Sequence, residues 1–440
     1  MIVNRFAASA ALAAVLTLAA LVPSGIADAA TPPVLPQTTA AQSAANWLAA
    51  QIQPDGSIAS TVTPGTPDLT ATANAVLALA SAGVDHAQAA SALAFMKSHV
   101  DAYVTVAGAD GPGQLALLVL DAKALGVSAR SFGGANLVSR LLATQQASGS
   151  EAGLFGVQDA TFDGAYRQGL SLAALAVAGV RSGSALVAAE SWLSAQQCQD
   201  GGWTSLVTAS NPCDGNPAQF AGPDTNSTAL AAEGLEAQHA LGASAATSAL
   251  YFLEKAEDAD GGWGYEPNAY HAPGSTDPDS TALVIQALLS LGVPPSKPIF
   301  IKSGTDPVAS LLADQITSGP GIGGISFPGI PGVNMLATYQ VIPALAGVTF
   351  AYDLGVPTLT KVGPTYGPVA GGTTVHLTGT SLTEVTSVLF GTTPATSFTL
   401  RSGTSIAAVA PPGVAGTVNV TVVSPAGTSA VTGATRYSYR

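Results

Sequence analysis

Between roughly residues 40 and 350, apolar positions recur at three- and four-residue spacing, the signature of helices. Two kinds of segment alternate. One is almost wholly Ala, Leu and Val, as in Leu170–Val177, and predicts a helix buried nearly all round. The other is amphipathic, with stripes carrying Trp47, Phe95, Leu141, Trp192, Phe252 and Leu311. Each apolar segment runs into a glycine: Gly83, Gly126, Gly179, Gly242, Gly292 and Gly347. Glycine just past an apolar helix is the expected left-handed stop. Six stops predict six repeats of two helices. A ring meets both burial requirements, with apolar helices inside, amphipathic ones outside, and alanine allowing close approach. After Val356 the period changes to two, as in "TTVHLTGT" and "TVNVTVVS", which predicts antiparallel strands.

The connections repeat as well. Asp-Gly-Gly-Trp occurs at Asp200–Trp203 and at Asp260–Trp263. Weaker echoes lie at Gly56–Ile58, Gly153–Phe155 and Gly323–Phe327. Trp192-Leu193, Gln197 and Gly201-Gly202-Trp203 follow a Gln-x3-Gly-x-Trp pattern. Phe252-Leu253, Glu257 and Gly261-Gly262-Trp263 repeat it with Glu for Gln. This resembles the prenyltransferase and squalene-cyclase repeat superfamily over roughly residues 40–355. The resemblance implies an α/α toroid of about six helix pairs, each turn tying an outer helix to the next inner one under a packed tryptophan. Gly371-Gly372-Thr373, Phe390-Gly391, Pro411-Pro412 and Tyr437-Ser438-Tyr439 resemble the IPT/TIG domain over residues 357–440. That implies an immunoglobulin-like β-sandwich. The expected organisation is a signal peptide at 1–29, the toroid at 30–356 and the β-domain at 357–440.

Composition narrows the function. The chain has 440 residues, only 9% charged, with net charge −13 and no basic cluster, which argues against a nucleic-acid partner. Arg5, the apolar stretch Ala7–Val22 and small residues at Ala27-Asp28-Ala29 read as a secretory signal, with an uncleaved anchor as the alternative. The apolar stretch Met335–Tyr352 carries Thr338, Gln340 and Pro343 and does not read as a membrane span. A secreted protein with no membrane span after cleavage is expected. Cys198 and Cys213 are the two cysteines, and export predicts that they pair. No metal site and no cofactor are expected, since the five histidines form no ligand-spaced cluster.

The acids carry the candidate chemistry. Asp68, Asp224 and Asp277 each stand four residues before a Thr-Ala pair at an inner-helix start. Asp277-Pro278-Asp279-Ser280-Thr281-Ala282 resembles the Asp-x-Asp-Asp-Thr-Ala motif of class II terpene cyclases, whose central acid protonates an alkene. The resemblance makes Asp279 the proton donor, and Ser280 departs from the pattern by removing an adjacent acid. Capping is the competing reading: Asp277 as N-cap, Pro278 at the first helical position and Asp279 at the positive helix end. The same capping applies to Asp68 and Asp224. Asp224, Asp277 and Tyr265 are ligand-binding candidates. Asp163, Glu233 and Glu266 are rim acids that could converge on a saccharide. Two functions remain. One is a non-enzymatic exported toroid, similar in architecture to cobalamin carriers, binding an unknown small molecule or cell-surface partner. The other is a squalene-hopene-like cyclase. Export and an expected lack of aromatic residues on the inner helices favour the first.

Overall fold

The computed structural model describes residues 39–83, 86–157, 164–204, 213, 222–267, 276–350, 357–382, 385, 387–402, 405–424 and 427–440. The expected signal segment, Asp163 and most of the loop between the cysteines lie outside these residues.

Six inner helices form a closed ring: α2 (Leu69–Ala82), α5 (Pro112–Ala124), α7 (Ala165–Val177), α9 (Thr225–Ala237), α11 (Pro278–Ser290) and α13 (Met335–Ala346). Each packs on the next, and α13 packs back on α2. The outer helices are α1 (Thr39–Ala49), α3 (His86–Ser98), α6 (Leu137–Ala143), α8 (Ser184–Ala195), α10 (Ala243–Ala256) and α12 (Pro307–Ala313). A short thirteenth helix, α4 (Val100–Val104), leads into a hairpin of Thr105–Val106 and Ala109–Asp110 that the apolar pattern did not predict. Inner helices are buried nearly all round: Leu115 to Leu120 on α5 and Ala282 to Leu288 on α11 are consecutive buried runs. Five of the six expected stops have positive φ, between 65° and 76°. Gly242 does not. His239 takes φ 60° instead, and Gly242 becomes the N-terminal cap of α10.

The repeated turn joins three elements. Trp203 and Trp263 are fully buried, and each indole Nε1 donates to a carbonyl of the preceding outer helix, Leu193 or Leu253, at 2.8 Å. The Gln of the pattern reaches further. Gln197 Nε2 donates to the Gly201 carbonyl (2.9 Å) and to Ala245 on the next outer helix (3.0 Å). Gln145 does the same to Gly153 and Ala185. Gln315 donates to Gly323 and to Ala40, 275 positions away, which closes the ring. Gly201 and Gly323 have φ of 97° and 93°, and a Cβ on either would lie 2.1 or 2.4 Å from a carbonyl oxygen of the neighbouring outer helix. Only glycine lets the turn seat there.

Glu257 replaces Gln in one seam. A carboxylate cannot donate, so the seam uses an ion pair with Lys302 at 3.3 Å. Burial pushes the Glu257 carboxyl up to about 7, against the opposing pull of Lys302. Replacing Gln197 with Ala should remove two partly buried bonds and lower stability by about 1–3 kcal/mol, measured by urea denaturation with an unchanged slope. A loss below a few tenths would show that the stitch is not structural.

The C-terminal region is a β-sandwich. One sheet orders Ser397–Ser402, Ser405–Val409, Thr374–Thr380 and Thr358–Gly363. The other has Gly416–Ser424 at its centre, paired with Arg436–Tyr439 and Ser387–Phe390. Alternation puts Val375, Leu377, Val420 and Val422 inside. Cys198 and Cys213 form the expected disulfide, with Cα atoms 5.3 Å apart.

Candidate functional site

The inner helices start at one end of the ring, and a cavity of about 1120 Å³ opens there. First-turn residues make its rim: Thr70, Gly113, Tyr166, Asn226 and Leu336. Residues one to two turns on make its walls: Leu77, Ala78, Leu117, Leu170 and Pro343. Rim residues are mixed; the walls are mainly apolar, with Asn74, Tyr339 and Gln340 as a polar sector at the same depth as Leu117 and Leu170. Past the end of α13 the chain turns at Gly347, and Phe350 lines the cavity from that end. The Phe350 amide donates to Glu233, buried on α9. The Thr105–Asp110 hairpin flanks the mouth. Arg140 pins it with a two-point bond to Asp110 (2.6 and 2.9 Å) and a third to Asp101 (2.6 Å). The Arg140 hydrogen bond holds the Asp110 carboxyl low and, in return, the guanidinium high.

Tyr103, Tyr166, Tyr265, Tyr339 and Phe350 all line the cavity. Tyr166 lies on α7 and Tyr339 on α13, so the expectation that inner helices lack aromatic residues is wrong. Both sit in helices otherwise rich in Ala and Leu, where a lone tyrosine reads as core. The polar residue beside each, Arg167 and Gln340, is the one local sign that the side chains face a lumen, and both neighbours line it too.

The recurring Asp-x3-Thr pattern has a structural explanation at every copy. Asp68, Asp224 and Asp277 are N-caps, accepting from Ala71, Ser227 and Ser280 amides at 2.9, 2.6 and 2.7 Å. Asn334 does the same on α13. The threonine four residues on accepts the amide of the preceding turn: Ile58 to Thr72, Trp203 to Thr228, Trp263 to Thr281 and Ile325 to Thr338, at 2.9–3.0 Å. Asp224 and Asp277 do not line the cavity; Tyr265 does. Ser280 also donates its hydroxyl to Asp277 (2.9 Å), so the residue that departs from the cyclase pattern reinforces the cap.

Asp279 has no such role. It is the second residue of α11, and its Oδ1 is buried without a hydrogen-bond partner. Burial first, then the charges of Asp277 and Asp314, push it up to about 7. It is not among the lining residues, though its charge helps raise both Tyr166 and Tyr339. A carboxyl in that state is disfavoured when ionised. Asp279→Asn is therefore expected to raise stability above neutral pH, whereas Asp277→Ala should lower it by about 1 kcal/mol through the lost cap. Melting temperatures of both variants at pH 8 check this, and a fall for Asp279→Asn would contradict it.

Among the described residues no group of three or more His, Cys, Asp or Glu side chains is arranged to hold a metal ion. No described helix is long and apolar enough to cross a membrane. Glu233 accepts from the Phe350 amide, and nothing places it with Glu266 as a carboxylate pair.

The IPT/TIG domain family matches residues 357–439. The fold of the helical part is similar to that of UGL bound to dGlcA-Glc-Rha-Glc, 17% identical over 70% of this chain and 95% of that one, with a TM-score of 0.51. Type II terpene cyclase MstE from Scytonema is 16% identical over 70% and 97%, at 0.47. The extracellular region of plexin A4 is 27% identical over 19% of this chain, which spans 8% of that protein, at 0.17. No curated protein sequence matches the chain. The molecule is thus an α/α toroid followed by an IPT/TIG domain.

Proposed function

We propose that the toroid is an exported binding protein that holds a largely apolar small molecule in its lumen, with the IPT/TIG domain as a surface for a macromolecular partner. The observation that carries this reading is the cavity itself: about 1120 Å³, with Phe350 among its lining residues and mainly apolar walls under a mixed rim. Sites of this size and character hold ligands of drug or lipid size. The charges near it are few. Arg140 is neutralised by Asp110 and Asp101, which favours a neutral occupant. The signal-like N-terminus and the disulfide support export. The proposed boundaries are 1–29 for the signal, 30–356 for the toroid and 357–440 for the β-domain. Mass spectrometry of organic extracts from the purified protein tests the reading. A stoichiometric apolar compound, absent when Ala78→Trp fills the cavity, supports it.

One observation favours a second reading. Asp279, held up near 7 with a partnerless oxygen, has the protonation state that a general acid needs. In that reading the toroid cyclises a polyprenyl chain. A cyclised product formed by the wild type and lost in Asp279→Asn decides for it. Unchanged substrate recovered from the lumen decides for binding.

A further inference from the structure

Three tyrosines meet in the lumen from three elements: Tyr103 from α4, Tyr166 from α7 and Tyr339 from α13. Tyr103 and Tyr339 are only 8% and 7% exposed. All three line the cavity, and none of the three hydroxyls has a protein hydrogen-bond partner. The three hydroxyl oxygens are not among the buried polar atoms left without a partner, so they are open to the cavity and available to bond an occupant. They share one cavity, reached from three different helices.

We propose that Tyr103, Tyr166 and Tyr339 form a hydrogen-bond-donor triad that recognises a neutral acceptor oxygen, such as a ketone, ester or ether, carried within an otherwise apolar ligand. This inference rests on the lumen reading and names its ligand class.

The chemistry of the surroundings selects the acceptor. A phenol can donate or accept, and its neighbours decide which role is useful. Burial raises all three phenols, Tyr166 to about 12, and nearby acids raise them further: Asp121 and Asp68 at Tyr103, Asp279 and Asp224 at Tyr166, Asp279 and Asp68 at Tyr339. The triad therefore stays protonated throughout the physiological range and keeps its donors. Asp68 and Asp224, which act on the same phenols, oppose an anionic ligand group across a poorly screened cavity. The walls below, Leu77, Leu117, Leu170 and Phe350, can take the rest of the ligand without a polar partner. An oxygen that fails to reach the triad would stay unpaired in the apolar part, so the hydroxyls should set both affinity and position.

The experiment compares four probes of one chain length on the full chain: an alkane, an internal ketone, a carboxylate and a quaternary ammonium. Binding is read by isothermal titration. The ketone is expected to bind roughly tenfold more tightly than the alkane, and more tightly than either charged probe. Tyr339→Phe and Tyr103→Phe should each reduce the ketone's advantage several-fold while leaving alkane affinity unchanged. A variant that merely loosened the fold would weaken both probes alike. Equal binding of ketone and alkane to the wild type would overturn the triad and leave the lumen reading standing, as would a charged probe binding best. No binding of any probe would overturn both.

Discussion

Replacing Gly234 by Ala should prevent the toroid from folding, or destabilise it by about 3 kcal/mol or more. Helices α7 and α9 cross with their backbones in contact. A Cβ on Gly234 would lie 2.2 Å from the Gly169 carbonyl oxygen, and one on Gly169 would lie 2.0 Å from that of Leu230. Both helices have positions on neighbouring ring members, so neither can retreat without opening a second interface. Ala is the better helix former by about 1 kcal/mol, so local propensity predicts the opposite sign. Far-ultraviolet circular dichroism during chemical denaturation separates the two. A stabilised Gly234→Ala protein would show that the helices are not in backbone contact.

Stability should fall as pH rises from about 4 to 8. Glu257 and Asp279 are raised to about 7 and Asp314 to about 6, each chiefly by burial, and burial also raises fully buried Asp121. The folded state therefore keeps protons that the unfolded chain releases near pH 4. Their contribution is complete below that pH and is lost as pH climbs through 6 to 7. Each tenfold gain in proton affinity is worth about 1.4 kcal/mol, so the partly exposed group together should amount to a few kcal/mol. Asp110, held low by Arg140, works the other way, but only below about pH 4. Unfolding free energies from urea titrations at pH 5 and pH 8 check the sign. Glu257→Gln, which restores the donor found at Gln145, Gln197 and Gln315, should flatten the slope and raise stability at pH 8. A wild-type protein more stable at pH 8 than at pH 5 would contradict this account.

Much of the ring was legible because its signals are local. Gly83 or Gly347 ends a helix through its own φ, and Asp277 caps α11 through an amide three residues away. Gly242 misled because His239, an unusual left-handed residue, had already ended the helix. The Gln stitch was legible as a motif but not as a bond, since its second acceptor lies a repeat away, and for Gln315 across the whole chain. Gly169 and Gly234 gave no warning, because a close crossing is a property of two helices. The lumen was the least legible feature. A tyrosine in an Ala- and Leu-rich helix has the same pattern whether it faces core or cavity, so Tyr166 and Tyr339 passed unread while capping acids drew notice.

The lumen is the central claim, and one measurement tests it directly. A neutral, environment-sensitive fluorescent probe is titrated into the wild type and into Ala78→Trp, which puts an indole at a wall position. The account predicts saturable one-to-one binding to the wild type. It predicts at least tenfold weaker binding to Ala78→Trp, with the circular dichroism of the two proteins superimposable. Equal binding by both proteins would place the ligand elsewhere and contradict the account.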